Sequence, residues 1–299
     1  MTDDVRFVEG TAVRYGEPET VSPLIRRVVA HNANPFTYTG TGTYIIGRGT
    51  VAIIDPGPDM PEHIEAVLKA VEGETVSHLV ITHTHRDHSP AARPLKERLG
   101  APIVGCAQVK GEDGMPAAEE AVDWAYAPDT ILAEGDTISG PGWTLEAIET
   151  PGHTSTHLCF ALPEEKALFT GDHVMGWSTS VIAPPDGDMA AYMASLKKLL
   201  DRDDAIYYPT HGAPVENPRP FVRGLINHRR MREGQIMKLL SDGPLSIPQM
   251  VEVLYVSTPK YLHAAAGRSV LAHLIDLEAR GRVVRDGDVY SAAQVAETE

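Results

Sequence analysis

Cysteine is scarce, with Cys106 and Cys159 the two in 299 residues, far apart and each inside an apolar run. That excludes a disulfide framework and a Cys-x-x-Cys metal knuckle, and both read as small core hydrophobes. Long apolar runs are also missing. None approaches the roughly 18 residues that a membrane-spanning helix needs, so the chain is expected to cross no membrane. The N-terminal stretch, Met-Thr-Asp-Asp-Val-Arg-Phe-Val-Glu-Gly, has neither the basic n-region nor the apolar h-region of a secretory signal, which makes the cytoplasm the expected setting. Basic residues are in deficit, 26 Lys+Arg against 41 Asp+Glu, for a net charge of −15. The deficit is local: residues 1–214 carry 15 basic against 31 acidic side chains, whereas residues 215–299 carry 11 against 10. So acidic a body repels polyanions, and nucleic acid could be held only through a local basic patch or a metal centre.

What is present is a globular composition, 42% hydrophobic and 22% charged, patterned as short strands alternating with helices. Residues 43–46 and 51–55 read as a hairpin turning at Gly47-Arg48-Gly49. Ile64, Val67, Leu68 and Val71 repeat at helical spacing and stop at Gly73. Strands are expected at 78–82, 103–106, 143–149, 158–162, 167–170 and 206–208, with an amphipathic helix marked by Met189, Tyr192, Met193, Leu196 and Leu200. Beyond 215 the pattern changes to a long helix running toward Leu240, shorter helices near 247–255 and 260–280, and two short strands around Asp286-Gly287. Three helices closed by a hairpin outline a winged helix, so the chain is divided into domains 1–214 and 215–299.

The chemistry is concentrated in Thr82-His83-Thr84-His85-Arg86-Asp87-His88, directly after an expected strand. In an extended segment His83 and His85 project to one side, while Asp87 and His88 can turn back in the loop beyond. His-x-His-x-Asp-His arises by chance roughly once in a thousand such chains. Three more strand ends each offer a donor beside a glycine: Thr150-Pro151-Gly152-His153, Thr170-Gly171-Asp172 and Pro209-Thr210-His211-Gly212. Five histidines and two aspartates exceed what one tetrahedral zinc needs and suit two borderline cations sharing a carboxylate.

With these motifs the sequence resembles the metallo-β-lactamase superfamily, specifically its dinuclear hydrolases with a bridging aspartate. The resemblance implies an α/β fold, the αβ/βα sandwich, followed here by the small winged-helix-like domain. It implies that His83, His85 and His153 hold one metal, that Asp87, His88 and His211 hold the second, and that Asp172 bridges them. Asp55, in Ile54-Asp55-Pro56-Gly57, resembles the family's aspartate that supports the histidine loop without binding metal, and His157 resembles a recurrent position behind the ligands. Class B1 and B2 β-lactamases carry Cys where Asp172 stands, which argues against an antibiotic hydrolase of those classes. The segments 171–200, 208–212 and 227–233 look like the β-lactamase-like group with a C-terminal winged helix. That group includes mitochondrial endoribonucleases, bacterial hydrolases and thioesterases of polyketide pathways.

The implied cofactors are two divalent metal ions, zinc first, with iron and manganese suiting the same donors. A hydroxide shared by the metals would be the nucleophile, since coordination lowers the pKa of water to about 7. Asp87 and Asp172 are the expected catalytic residues, orienting that nucleophile, with Asp87 also able to protonate the leaving group. The acidity of the body favours an ester or thioester of a small or carrier-linked acyl group. A single-strand-specific endoribonuclease is the alternative, with Arg219, Arg223, Arg229, Arg230 and Arg232 as the grip on RNA. The same arginines read more readily as a solvated helix face pairing with Glu216 and Glu233, since charged runs on helices usually face solvent. A non-catalytic winged-helix binding module is the third reading, opposed by the complete donor set.

Overall fold

The computed structural model describes residues 5, 7, 8, 10, 12–109 and 122–293. Two sheets stack face to face. The first runs in chain order, β1 (Glu19–Thr20), β2 (Ile25–Val29), β3 (Gly42–Arg48), β4 (Thr50–Ile54), β5 (Thr75–Ile81), β6 (Ile103–Gly105) and β7 (Thr130–Ile131). Its first four strands pair antiparallel, and β4 through β7 pair parallel. Helices α1 (Pro61–Ala70) and α2 (Ala92–Leu99) make the parallel crossovers from β4 to β5 and from β5 to β6. The expected hairpin is β3–β4, where Arg48 pairs with Thr50 across Gly49, whose φ of 75° suits glycine.

The second sheet has β8 (Thr137–Gly140), β9 (Trp143–Glu149), β10 (Leu158–Leu162), β11 (Ala167–Gly171), β12 (Ile206–Pro209) and β13 (Val215–Glu216), in the order β13-β12-β11-β10-β9-β8. Helix α3 (Met189–Leu200) links β11 to its parallel neighbour β12. Alternation along β10 shows how the layers form. Leu158, Phe160 and Leu162 enter the core between the sheets, while Cys159 and Ala161 enter the core under α3. Both faces are covered, so all five residues are buried. Helices therefore flank two sheets in an αβ/βα sandwich. Both cysteines are free and buried, and burial pushes each thiol up to about 12.

The C-terminal part comprises α4 (Pro218–Ser241), β14 (Leu245–Ser246), α5 (Ile247–Leu254), α6 (His263–Ala279), β15 (Val283–Asp286) and β16 (Val289–Ala292), with the last two strands paired as the wing. Helix α4 belongs to two cores. Val222, Leu225 and Ile226 pack with α3 against the second sheet, whereas Ile236 and Leu240 pack with α5 and α6. Among the described residues no helix is long and apolar enough to cross a membrane.

Candidate metal centre

Strand ends bring the donors together. Strands β4 and β5 are parallel neighbours in one sheet and β11 and β12 in the other, so Asp55, the 82–88 segment, Asp172 and His211 leave their sheets at one edge. The sheets meet there: Leu158 donates its N–H to the Thr82 carbonyl at 2.9 Å. After β5 the chain stays extended through His83 and His85, then turns, with the His88 N–H on the His85 carbonyl at 2.9 Å. All seven expected side chains converge in two groups. One comprises His83, His85, His153 and Asp172, and the other Asp87, His88 and His211.

In the first group His83 Nε2 lies 2.9 Å, and His153 Nε2 3.1 Å, from His85 Nδ1. In the second, Asp87 Oδ2 stands 3.1 Å from His211 Nε2 and 3.6 Å from His88 Nε2. Asp172 faces both groups. Its Oδ2 is 3.6 Å from His153 Nε2, and its Oδ1 is 3.4 Å from His211 Nε2 and 3.7 Å from His88 Nε2.

The outward nitrogens are committed elsewhere. His153 Nδ1 donates to the Val181 carbonyl at 2.6 Å, His211 Nδ1 to the Gly40 carbonyl at 3.1 Å, and His88 Nδ1 to Asp55 Oδ2 at 2.8 Å. Thr82 Oγ1 gives its proton to Asp55 and accepts from His83 Nδ1 at 3.0 Å. With these protons outside, the inward nitrogens present lone pairs to the centre, which is the tautomer a cation requires. Two inward atoms, His88 Nε2 and Asp172 Oδ1, are buried with no hydrogen-bond partner among the described residues. A buried polar atom without a partner is costly, and a cation between the groups would satisfy both. The donor set therefore fits two divalent cations.

Electrostatics divide the site. Burial and the neighbouring imidazoles hold His83 neutral, far below the usual histidine range, and His85 down to about 3. Burial also opposes charge on His88 and His211, but there the carboxylates overcome it and raise both, Asp87 and Asp172 at each site with Asp55 added at His88. Burial works against ionisation of Asp87 and Asp172 as well, and the facing imidazoles reverse it, His88 before His211 at Asp87 and His211 before His88 at Asp172, so that both carboxyls lie below their usual range. A cation requires both imidazoles unprotonated on their inward nitrogens, so its affinity falls as pH falls.

Side chains behind the ligands complete the centre, and several were not evident from the sequence. Asp55 Oδ1 accepts the Thr82 N–H at 2.9 Å, and its Oδ2 accepts from the Thr82 hydroxyl at 2.8 Å and the Thr210 hydroxyl at 2.9 Å besides His88. Both threonines immediately precede a donor segment, the one local signal that could have found them. His157 accepts the Asp172 N–H on Nε2 and donates Nδ1–H to Thr150 Oγ1 at 2.9 Å. Ser180 donates to the Asp172 and His173 carbonyls at 2.6 and 2.8 Å. Tyr38 and Trp177 stack at 4.7 Å beside Gly212.

Of the five α4 arginines, Arg219, Arg223 and Arg230 stay exposed, whereas Arg229 and Arg232 are drawn inward. Arg229 is buried and donates to the Ser180 carbonyl, Arg232 reaches the Leu254 carbonyl at 3.0 Å, and Arg219 the Leu200 carbonyl at 3.1 Å. Glu233 pairs instead with Arg280 of the α6 terminus at 2.7 Å.

A sandwich with its donors on the strand ends of two sheets defines a class, and the comparisons agree. Residues 39–211 match the metallo-beta-lactamase superfamily, and residues 246–292 match the beta-lactamase associated winged helix domain. The chain belongs to the metallo-β-lactamase superfamily and is a hydrolase of that fold. Among relatives, it is 33% identical over 259 residues to a beta-lactamase-like protein 2 homolog of Caenorhabditis elegans, covering 84% of this chain and 83% of that one. It is 33% identical over 232 residues to an atrochrysone carboxyl ACP thioesterase of Aspergillus fumigatus, covering 76% of this chain and 68% of that one. The fold is shared with a beta-lactamase domain protein of Burkholderia ambifaria, with a TM-score of 0.80, 20% identity and 95% of each chain covered.

Proposed function

We propose that the chain is a dinuclear metal-dependent hydrolase acting on an ester or thioester of a small or carrier-linked acyl group. His83, His85 and His153 would hold one cation and Asp87, His88 and His211 the other, with Asp172 placed between the two groups. The observation that carries this reading is the division of Asp172, with Oδ2 toward His153 and Oδ1, unpartnered, toward His88 and His211. Divalent cations held there, zinc by preference, would supply Lewis acidity for polarising a substrate oxygen and lowering the pKa of water to about 7. Asp87, at the exposed side of its group with 27% of its side chain accessible, is placed to orient the nucleophile and pass a proton to the leaving group. Asp172, held by His157 and Ser180, keeps the two histidine groups at a constant separation.

The acyl preference is supported by the acidic body and by the name of the fungal thioesterase relative. Engagement of Arg229 and Arg232 by backbone carbonyls reduces the basic patch open to an RNA substrate to Arg219, Arg223 and Arg230. Domains 1–214 and 215–299 remain our division of the chain, with α4 as the element shared by both cores. A cytoplasmic setting is in keeping with two unpaired cysteines.

The test is thiol release from acyl-N-acetylcysteamine and acyl-carrier-protein thioesters by zinc-loaded protein, beside end-labelled single-stranded RNA at several salt concentrations. Turnover by the wild type and none by His85→Ala or Asp172→Ala is the expected result. Two bound metals with RNA cleavage and no thioester turnover would overturn the acyl assignment, and failure to bind two metals would overturn the dinuclear one.

A further inference from the structure

The buried guanidinium of Arg229 on α4 reaches the Ser180 carbonyl, in the loop that supports the metal centre. Val222, Leu225, Ile226 and Arg229 follow i, i+3, i+4, i+7 spacing, so a charged residue occupies the apolar stripe that docks α4 on the sandwich. Such a position is costly for a cation unless its hydrogen bonds are met. Arg229 is 5% exposed, and it lies 5.3 Å over the Tyr192 ring while its Nη2 donates to the Ser180 carbonyl. Among the described residues no carboxylate pairs with it. Its charge is thus spent on a backbone oxygen of the loop after β11.

That loop supports His153, a ligand of one group alone, and Asp172, which faces both. The Ser180 hydroxyl is on the Asp172 carbonyl at 2.6 Å, and the next residue, Val181, takes the His153 Nδ1 proton at 2.6 Å. His88 and His211 have their supports elsewhere, on Asp55 and the Gly40 carbonyl. The geometry points to Arg229 as a positioning residue through which the C-terminal helical domain, by way of the Val181 carbonyl, sets the His83–His85–His153 metal position more than the Asp87–His88–His211 position. This rests on the dinuclear reading above. It makes the appended domain part of the metal centre's scaffold: motion of α4 relative to the sandwich would move Val181 and Asp172 together.

The experiment follows metal release to a chromogenic chelator from the full-length zinc protein, with cobalt spectra of the same variants. Wild type should release two equivalents in two phases, and His85→Ala should lack one of them. In Arg229→Met that same equivalent should leave about 10–100-fold faster, the usual cost of disturbing the support of a ligand, with the other accelerated less. Arg229→Lys should recover part of the loss. Exposed Arg230→Met and core-weakening Leu225→Ala, whose side chain has no hydrogen bond to give that loop, should leave both phases as in wild type. Equal acceleration of both phases, or the same release from Arg229→Met and Leu225→Ala, would overturn the proposal. Should Arg229→Met not fold, a cycle of Arg229→Lys with Ser180→Ala decides: the double variant should be no worse than the worse single one, and additive effects would overturn the coupling. A wild type that binds fewer than two metals would instead defeat the dinuclear reading itself.

Discussion

His157 receives the backbone N–H of Asp172 on its Nε2 at 3.2 Å, so a buried imidazole that faces no solvent supports the residue between the two histidine groups. Burial, with His173 and His153 nearby, keeps that ring neutral and far below the usual histidine range. Only the neutral ring can accept at Nε2. Replacement by Leu removes the acceptor and should weaken metal binding about 10–100-fold, while His157→Gln, which can accept from the same N–H, should lose less. Competition with a chelator of known affinity measures both, and equal affinities for the two variants would refute the hydrogen-bond role.

Asp55 accepts four donors, three of them on Oδ2. An Asn can present an oxygen to only one side, so Asp55→Asn would turn an amide N–H toward a donor it replaces. The expected cost is about 1–3 kcal/mol of stability and a loss of metal affinity that falls first on His88, whose Nδ1 would lose its carboxylate. Chemical denaturation of the metal-free form separates the first effect from the second.

Gly171 joins β11 to Asp172 with φ at 50°. A Cβ there would stand 2.6 Å from His157 Nε2 and 2.9 Å from Thr82 Oγ1. Gly171→Ala should therefore cost about 1–3 kcal/mol and displace the acceptor of the Asp172 N–H. Thermal melting and metal stoichiometry should both fall; an intact stoichiometry with a lowered melting temperature would show that the backbone strain alone was at work.

His273 of α6 is buried, and neither ring nitrogen has a partner among the described residues. Burial first, then Arg229, Arg232, His228 and Arg280, lowers its pKa to about 3. A folded pKa below the unfolded value of about 6.5 means that the unfolded chain binds the extra proton. Stability from this group is whole above pH 6.5 and is lost as pH falls toward 3, by up to about 1.4 kcal/mol per pH unit. His273→Leu should accordingly gain in melting temperature relative to wild type as pH drops from 6.5 to 4.5. A gap that does not change with pH would refute the buried neutral ring.

Local pattern made much of the molecule legible. The hairpin of β3 and β4, the strands β9, β10, β11 and β12, the α3 helix and the wing all follow from period-two or period-3.6 alternation bounded by glycine, proline or Asp-Gly. Strand β2 was not foreseen because Arg26-Arg27 interrupts its apolar run. Its charges are met far away, Arg26 by Glu74 and the Ala70 carbonyl, Arg27 by Glu19 and the Gly212 carbonyl. Helix α2 was missed because Arg93, Pro94, Lys96, Glu97 and Arg98 leave Leu95 and Leu99 as its main apolar signal. The two-residue strands β1, β7, β13 and β14 exist only through their partners.

The sequence by itself determined which side chains can donate to a cation and that they stand at strand ends, because residue type and alternation are properties of neighbours along the chain. Tertiary structure decided which nitrogen of each histidine faces inward, how Asp172 divides between the groups, and that Arg229 leaves the surface for the Ser180 carbonyl. Those are contacts across as many as 171 positions, such as His211 on Gly40, and they arise only when both sheets and α4 close over one another.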